Sequence, residues 1–234
     1  MFTKGFKPVG ETPSYVKMLL YGQAGAGKTR FCADAPKPAW WDYESSTETL
    51  RNSPGYLDIP VKKTREVKEL ISDIKDAISS VDVETIVIDS ITTCHDYFLR
   101  KHVTALVNDP KKVNRTDKYT LFEADYKYAT QVFTDLFGVL QDAPINVVMI
   151  GHERLVRDPD TGLVTEIFPD ITPRLQQAVT RLVNVVAYME AKPSSKGTER
   201  KLYLNRTSKI EAKNRLNIQE TFLVNPSWKD IFND

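Results

Sequence analysis

The amino-acid sequence predicts an α/β protein built on a mainly parallel, twisted sheet, with helices on both faces and antiparallel strands towards its C-terminal end. Two observations lead to this prediction. Short apolar runs alternate along the chain with segments of helical period, the pattern that a parallel sheet with covering helices produces. The last apolar runs are instead joined by short polar turns, as in antiparallel pairing. With 234 residues, 41% hydrophobic and 27% charged, the chain fits one globular domain.

The first half of the chain contains the elements of a βαβ unit. The run VKMLLYG predicts the first strand, and a helix is expected to begin at about Lys28. The stretch PAWWDYE, residues 38–44, predicts a second strand, and the run ETIVIDS predicts another, buried strand. Between them, residues 66–79 have helical spacing, with one apolar face formed by Val67, Leu70, Ile71, Ile74 and Ile78.

The second half of the chain begins with a charged segment, residues 108–120, followed by a long helical pattern in FEADYKYATQVFTDLFGVL and by the strand NVVMIGH. Next, ERLVRDPDTGLVTEIFPD has the turn signal DPDTG between two extended flanks, which indicates either a protruding hairpin or a mobile loop. Thr172 is expected to cap the helix PRLQQAVTRLVN. The late strands are predicted at VVAYMEA, KLYLNRT and ETFLVNP.

Composition narrows the classes of function. A formal net charge of +1 gives no general attraction to nucleic acid or to an anionic membrane, so such a partner has to be argued from local clusters. The two cysteines, Cys32 and Cys94, have no paired spacing, which fits a reduced, cytoplasmic compartment. No apolar run approaches the ~20 residues that cross a bilayer, so we expect no membrane partner. We interpret residues 1–16 as an N-terminal extension that serves as an oligomerisation arm, and residues 17–234 as the domain.

The strongest motif is GQAGAGKT, from Gly22 to Thr29, which matches the P-loop pattern GxxxxGK[ST] after a strand and before a helix. Glycines in such a loop bring backbone N–H groups close to phosphate oxygens, and Lys28 is expected to neutralise the β- and γ-phosphates. The Thr29 hydroxyl is expected to bind Mg²⁺. The alternative is a flexible glycine loop at a strand-to-helix turn. The residues expected to contact ATP are Gly22, Gln23, Ala24, Gly25, Ala26, Gly27, Lys28, Thr29 and Arg30.

Acidic residues elsewhere are candidates for metal binding and for catalysis. Asp89 ends the apolar strand ETIVIDS, the position at which P-loop proteins hold the aspartate of the Mg²⁺ site. Together with Thr29 it makes up the expected metal site. Asp42 and Glu44, in WWDYES, are the candidates for activating the attacking water.

The order of these motifs resembles the RecA-like recombination ATPases. Here GQAGAGKT is followed by a strand ending in DYES, a helix, the strand TIVIDSI and the strand VVMIGHE. The resemblance implies a RecA-like P-loop NTPase core over residues 17–234. It also implies that Glu44 polarises the catalytic water and that His152 senses the γ-phosphate. At the position of His152 the family more often has glutamine or another polar residue. The simpler interpretations are a solvated strand end for Glu44 and a structural loop histidine for His152.

A shorter match lies near the C-terminus, where SKIEAKNRLN contains Lys213, Asn214 and Arg215. This sequence is similar to the KNK or KNR motif of RecA and bacterial RadA proteins. The resemblance implies that Lys213 and Arg215 reach across a subunit interface to the neighbour's nucleotide, as arginine fingers do. The alternative is an ordinary basic turn on the surface. Over Lys17 to Trp228, the chain most resembles the short bacteriophage Sak-type single-strand annealing ATPases.

Two charged segments indicate where single-stranded DNA would bind. Residues 108–120 contain four basic and two acidic residues, and residues 192–215 contain eight basic and two acidic residues. Such clusters suit phosphate contacts, whereas Tyr126 and Tyr128 fit helix packing better than base stacking. The resemblance places the DNA-facing loops near 108–120 and in the predicted hairpin. The candidate DNA-binding residues are Lys111, Lys112, Arg115, Lys118, Arg154 and Arg157.

Three classes of function remain open. The motifs favour an ATPase that acts on single-stranded DNA in recombination or strand annealing, with ATP and Mg²⁺ as cofactors. We expect it to assemble into rings or filaments with ATP sites at subunit interfaces, and to work beside a single-strand-binding protein. A nucleotide or small-molecule kinase would also use a P-loop, but it usually brings an arginine-rich lid over a second substrate. An ATP-switched loader or regulator would use the loop without DNA-dependent turnover.

Overall fold

The computed structural model describes residues 14–109, 111, 115, 117–195 and 197–232. The strands in these ranges are β1 (Lys17–Gly22), β2 (Pro38–Asp42), β3 (Val61–Lys62), β4 (Thr85–Asp89), β5 (Asn146–Arg157), β6 (Val164–Pro169), β7 (Val185–Ser194), β8 (Gly197–Tyr203), β9 (Lys213–Asn214) and β10 (Phe222–Val224). The α-helices are α1 (Lys28–Ala33), α2 (Val67–Ile78), α3 (Ile91–Val107), α4 (Glu123–Asp142) and α5 (Pro173–Leu182). Short 3₁₀ helices lie at Ser46–Leu50, Pro54–Tyr56 and Trp228–Asp230.

The sheet has a parallel centre with an antiparallel edge. Its strands pair in the order β10-β8-β7-β1-β5-β4-β2-β3, and the strands from β7 to β3 run parallel. The late strands β8, β9 and β10 are antiparallel additions beside β7. Strand β6 pairs antiparallel with the outer half of β5. The predicted α/β class, with a mainly parallel sheet and late antiparallel strands, is therefore confirmed.

Both faces of the sheet are covered, as the side chains of β1 demonstrate. Leu19 and Tyr21 belong to a cluster that packs against α2, α3, α4 and α5. Met18 and Leu20 belong to a second cluster, which includes residues of α1 and the C-terminal Trp228. Because a strand covered on both sides has no solvent face, its sequence is a continuous apolar run rather than an alternating one.

Helix α3 lies in a segment for which the sequence patterns predict no helix. It begins after Ser90, whose hydroxyl accepts a hydrogen bond from the backbone N–H of Thr93 and caps the helix. Its buried residues, including Ile91, Cys94 and Phe98, recur at helical spacing, but polar residues between them weaken the pattern. Strands β3 and β9 are also not predicted, because two residues are too few to establish a period.

The segment after NVVMIGH forms the hairpin and not the mobile loop. Strand β5 continues past the predicted NVVMIGH to Arg157, and β6 returns antiparallel to it. Helix α5 then begins at Pro173, the predicted start, and ends at Leu182, two residues before the predicted end. Thr172 occupies its N-cap position but makes no side-chain capping hydrogen bond, which corrects the expectation of a threonine cap.

Of the expected N-terminal extension, residues 1–13 lie outside the described residues. The backbone N–H of Val16 donates to Asn146 Oδ1 at 2.9 Å, so the chain is tied to the sheet just before β1. Cys32 and Cys94 are both buried, free thiols. Within the described ranges, no helix has the length and apolarity to span a membrane.

Candidate nucleotide-binding site

The predicted phosphate-binding loop connects β1 to α1 at the carboxyl end of the parallel strands. At Gly22, which ends β1, a Cβ atom would lie 2.0 Å from the carbonyl oxygen of Met189 in β7. Gly27 precedes α1 with φ of 102°, a conformation that other residues rarely adopt. Glycine is therefore required at one position by a close neighbouring strand and at the other by the backbone. The motif has the strand-loop-helix context of a P-loop.

Lys28, the first residue of α1, is a buried cation inside this loop. Its ammonium group donates hydrogen bonds to the carbonyl oxygens of Gly22 (2.8 Å) and Gln23 (2.7 Å). Burial lowers the pKa of Lys28, and the carboxylates of Asp89 and Glu44 oppose that effect. The positive charge is thus held at the loop, where the β- and γ-phosphates of a nucleotide would lie.

Asp89 ends β4 beside the loop, at the position predicted for the metal-binding aspartate. The Thr29 hydroxyl lies 3.3 Å from Asp89 Oδ2, and the Ser46 hydroxyl donates to the same oxygen. Burial raises the pKa of Asp89 to about 6, although the hydrogen bond from Ser46 works in the opposite direction. Thr29 and Asp89 are therefore close enough to act on one ion.

These oxygen donors fit Mg²⁺, which prefers hard oxygen ligands and keeps several waters and phosphate oxygens in its shell. Among the described residues, no group of three or more His, Cys, Asp and Glu side chains is placed to hold a metal ion unaided. Thr29 and Asp89 would therefore supply only part of a metal site, which phosphate oxygens would complete.

Asp42 and Glu44, the two candidates for water activation, have different surroundings. The Asp42 carboxylate accepts hydrogen bonds from the backbone N–H groups of Glu44, Ser46 and Thr47 and from the Thr47 hydroxyl. Burial would raise the pKa of Asp42, but these hydrogen bonds lower it. Asp42 therefore holds the turn at residues 45–50 in place, which leaves Glu44 as the carboxylate beside the P-loop that could act on water.

Glu44 lies at the centre of a hydrogen-bond cluster. Its Oε1 atom accepts hydrogen bonds from the hydroxyls of Ser90 and of Thr93 (2.5 Å), and it lies 2.6 Å from His152 Nε2. Burial would raise the pKa of Glu44, but these hydrogen bonds, that of His152 foremost, lower it to about 2. The same contact raises the pKa of His152. Two of the residues that the sequence predicts to be catalytic, Glu44 and His152, are thus in direct contact.

These residues surround one cavity of about 390 Å³, a size typical of small-ligand sites. We call it the P-loop cavity. It is lined by Ala24, Gly25, Ala26, Gly27, Lys28, Thr29, Arg30, Glu44, Ser46, Thr49, Leu50, Asp89, His152 and Arg200. Gly22 and Gln23 are not part of its lining and contact Lys28 from the start of the loop. Most of the predicted nucleotide, metal and catalytic residues therefore meet in one place.

Several residues of the site carry no motif that predicts them. Ser46 contacts Asp89, and Ser90 with Thr93 contacts Glu44. A serine directly before the first apolar residue of a helix is a common N-cap signal and could have located Ser90, whereas no such signal identifies Thr93. Arg200 reaches the cavity from β8, late in the chain, and no short-range pattern connects it with the P-loop.

The predicted finger residues Lys213 and Arg215 lie towards the opposite end of the sheet. Strand β9 pairs with Val185 and Val186 of β7, whereas the P-loop begins beside Met189, about 10–13 Å farther along the strand direction. The Lys213 ammonium donates to the carbonyl oxygens of Val183 (2.7 Å) and Thr180, at the end of α5. Arg215 is exposed. A contact between Arg215 and a nucleotide would therefore require a second subunit.

The predicted DNA-binding residues differ in their exposure to solvent and in their contacts within the protein. The Arg115 guanidinium makes two hydrogen bonds to the carboxylate of Asp125, at 2.7 and 2.5 Å, and its side chain is only 12% exposed. We therefore expect Arg115 to be structural. Lys112 lies outside the described residues. The exposed members of the set are Lys111, Lys118, Arg154 and Arg157.

Comparisons with known proteins agree with this architecture. Residues 14–216 match the model of the AAA_24 family, described as an AAA domain. None of the curated proteins compared with the chain matches it. A KaiC-like protein from the hyperthermophilic archaeon Pyrococcus horikoshii OT3 is similar in structure, with a TM-score of 0.50 and 14% identity over 89% of this chain and 88% of that one. The RadB recombinase has a TM-score of 0.48 and 16% identity over 89% of this chain and 86% of that one.

At such low identity, similarity to solved structures establishes the fold alone, and that fold is the RecA-like P-loop fold. The family match extends over most of the chain, and its residues include the P-loop, Asp89, Glu44 and His152. The protein is therefore a member of the AAA_24 family of AAA domains.

Proposed function

We propose that the protein binds ATP with Mg²⁺, hydrolyses ATP to ADP and phosphate, and couples turnover to single-stranded DNA in recombination or strand annealing. The observation that carries the proposal is the path of β5. At His152 this strand contacts Glu44 in the P-loop cavity, and it then continues into the exposed hairpin with Arg154 and Arg157. One strand thus joins the candidate catalytic carboxylate to candidate DNA-binding arginines.

The residues of the P-loop cavity supply the functions that hydrolysis needs. Lys28 can transfer its hydrogen bonds from loop carbonyls to phosphate oxygens and stabilise the charge that develops there. Thr29 and Asp89 would hold Mg²⁺, which neutralises and orients the phosphates when bound. Glu44 is placed to orient the attacking water and to accept its proton. With a pKa of about 2 it is a weak base here, and losing its hydrogen-bond donors would strengthen it.

Hydrogen bonds around His152 offer a route by which the hairpin would control Glu44. A ligand that shifts the outer half of β5 would move His152 away from Glu44 Oε1. Thr92, in α3, adds a second link. Its hydroxyl accepts a hydrogen bond from the backbone N–H of His152 at 3.4 Å and donates to the carbonyl oxygen of Asp170, just after β6, at 3.1 Å. Both strands of the hairpin are therefore connected to the catalytic end of the sheet.

The surface of the hairpin suits a nucleic acid strand. Arg154 lies over the ring of Phe168 at 4.4 Å, and Arg157 donates to the carbonyl oxygen of Gly162 at 3.0 Å. Both side chains are exposed, as is Leu155 between them. Cationic side chains bind backbone phosphates without sequence preference, and exposed apolar side chains can contact bases. Lys111 and Lys118 stay candidates for the same interface.

The proposal includes assembly into oligomers, because Arg215 lies too far from the P-loop of its own chain to contact a nucleotide bound there. An exposed arginine on one chain could complete the cavity of the next in a head-to-tail ring or filament. This arrangement is the one that the resemblance to the Sak-type annealing ATPases implies. A single-strand-binding protein would be the natural partner, since such a protein presents the DNA on which annealing acts.

Phosphate release with and without single-stranded DNA tests the proposal. We expect DNA to accelerate turnover by the parent protein, and Lys28→Ala to lose turnover in both conditions. Replacing Arg154 and Arg157 by alanine should weaken DNA binding and reduce the log–log salt slope by about 1.4, since each lost phosphate contact contributes about 0.7. Lys68 and Lys75, exposed on α2, give a matched double-alanine control with the same change of charge.

The outcomes separate the three classes of function. Turnover that is indifferent to DNA, with equal salt slopes in the hairpin and control variants, would favour the ATP-switched loader or regulator. Transfer of the phosphoryl group to a nucleotide or another small molecule would favour the kinase. Turnover retained by Lys28→Ala would contradict the assignment of the P-loop cavity.

A further inference from the structure

A second cavity, of about 380 Å³, adjoins the P-loop cavity. It lies between α1 and the edge formed by β8 and the turn after β10, with Asp34, Thr198 and Asn225 in its lining. We call it the edge cavity. Gly27, Arg30 and Arg200 line both cavities, so the two spaces are continuous across these residues.

Arg200 crosses the boundary between the two cavities. In β8, Leu202 packs in the same cluster as residues of α1, and Arg200, two residues earlier, lies on the same face of the strand. A Cβ atom at Gly27 would lie 2.6 Å from Arg200 Nε and 2.9 Å from its Cδ. The arginine side chain thus lies directly against the last glycine of the P-loop, and any side chain at position 27 would displace it.

Hydrogen bonds hold the backbone of Arg200 in place, whereas its guanidinium group makes none with the described residues. Its N–H donates to Asn225 Oδ1 at 2.9 Å, and its carbonyl oxygen accepts from the N–H of Asn225 at 2.7 Å. Within the described residues, the guanidinium has no hydrogen-bond or ion-pair partner. By contrast, Arg30, on the other side of the same boundary, donates to Ser53 and lies over Tyr56 at 4.4 Å.

We propose that Arg200 contacts the nucleotide in the same chain as its P-loop. The guanidinium binds the phosphate chain where it leaves the P-loop, and the edge cavity beyond it takes the ribose and base. A planar guanidinium presents several donors in a fixed arrangement that matches phosphate oxygens, and such charge-assisted hydrogen bonds are strong. This inference rests on the proposed ATP binding but not on DNA, oligomers or the Arg215 finger.

Binding of ATP and of inorganic tripolyphosphate, each with Mg²⁺, tests the phosphate contact. Arg200→Ala should raise the Kd for both ligands by about tenfold or more, since charge-assisted hydrogen bonds to phosphate are about twice as strong as neutral ones. Arg200→Lys should recover part of the loss, because it keeps the charge without the bidentate geometry. Lys201→Ala is the matched control: Lys201 lies on the other face of β8, beside Glu199 and Phe222.

A second variant tests the edge cavity. Thr198 is exposed at its rim, so Thr198→Trp should fill the space without disturbing the core. We expect this variant to bind ATP at least tenfold more weakly and tripolyphosphate as well as the parent does, because only ATP carries a ribose and base. Equal melting temperatures for parent and variants would establish that each is folded.

The results distinguish this inference from the proposed function. If Lys28→Ala abolishes ATP binding while Arg200→Ala binds as the parent does, the role of Arg200 is wrong and the ATPase proposal stands. Equal loss of ATP and tripolyphosphate in Thr198→Trp would overturn the placement of the ribose and base. A parent protein that binds neither ligand would overturn the proposed function itself, and this inference with it.

Discussion

At the scale of single residues, Glu44 concentrates three hydrogen-bond partners on one oxygen atom, and this arrangement predicts how a substitution would act. Glu44→Gln keeps an oxygen to accept from Ser90 and Thr93 but cannot take a proton from water. We expect ATP affinity close to that of the parent and turnover lower by a factor on the order of 10² or more. Nucleotide titration and phosphate release, measured on the same preparation, check the two expectations.

Asp42→Asn is the informative control for that experiment. Because Asp42 accepts backbone hydrogen bonds from the turn at residues 45–50, its replacement should lower the melting temperature more than Glu44→Gln does. If turnover survived in Glu44→Gln and disappeared in a well-folded Asp42→Asn, the catalytic role would belong to Asp42.

Asp89 predicts a change of stability that depends on pH. Its pKa is raised from 3.8 to about 6, so the folded state favours the protonated form, and that contribution to stability is lost as pH rises through 6. Asp89→Asn removes the cost of a buried charge at pH 7.5 and should stabilise the ligand-free protein by on the order of 2 kcal/mol. This gain in stability should shrink as pH falls towards 4.5. At every pH, Asp89→Asn should also lose ATP turnover in the presence of Mg²⁺.

Thermal melting of parent and Asp89→Asn at both pH values measures this effect. Asp76→Asn, an exposed aspartate on α2, controls for the general loss of a negative charge. A variant that melts below the parent at pH 7.5 would mean that the hydrogen bonds of Asp89 with Thr29 and Ser46 matter more than its desolvation.

The same residues define what the sequence could predict about the site. Lys28, Thr29 and the glycines form a local motif, so eight consecutive letters are enough to identify them. Glu44 and His152 required the order of strands as well, because their contact joins the ends of β2 and β5. Arg200 could not be found, since its position depends on the pairing of β8 with β7, which no local pattern encodes.

At the scale of elements, a helix could be predicted from the sequence where its apolar residues recur with a clear helical period. Helix α2 was predictable because its apolar residues share one face and its other face is charged. Helix α3 has buried residues along much of its length, including the polar His95, and its contrast between faces is weaker. The hairpin of β5 and β6 was one of two interpretations, because the turn signal DPDTG fixes a reversal but not whether the flanking segments pair.

At the scale of the whole molecule, the residues of the proposed ATP site and the proposed finger residues lie at opposite ends of the sheet. The P-loop, Glu44 and His152 lie at the carboxyl ends of the parallel strands, whereas Lys213 and Arg215 lie beside the first residues of β7. The Lys213 ammonium donates hydrogen bonds to carbonyl oxygens at the end of α5, so its replacement would also disturb that helix. Arg215, which is exposed, is therefore the better residue with which to test a contact between subunits.

Mixing two inactive variants tests whether neighbouring chains complete each other's sites. Lys28→Ala chains keep Arg215, and Arg215→Ala chains keep an intact P-loop. A head-to-tail interface is therefore complete only where an Arg215→Ala chain supplies the P-loop and a Lys28→Ala chain supplies Arg215. With equal amounts and random assembly, about a quarter of interfaces have this composition, and turnover should recover to about that fraction of the parent's. Size-exclusion chromatography with one tagged variant would establish co-assembly. If the two chains co-assemble and turnover does not recover, Arg215 does not act on the neighbouring nucleotide.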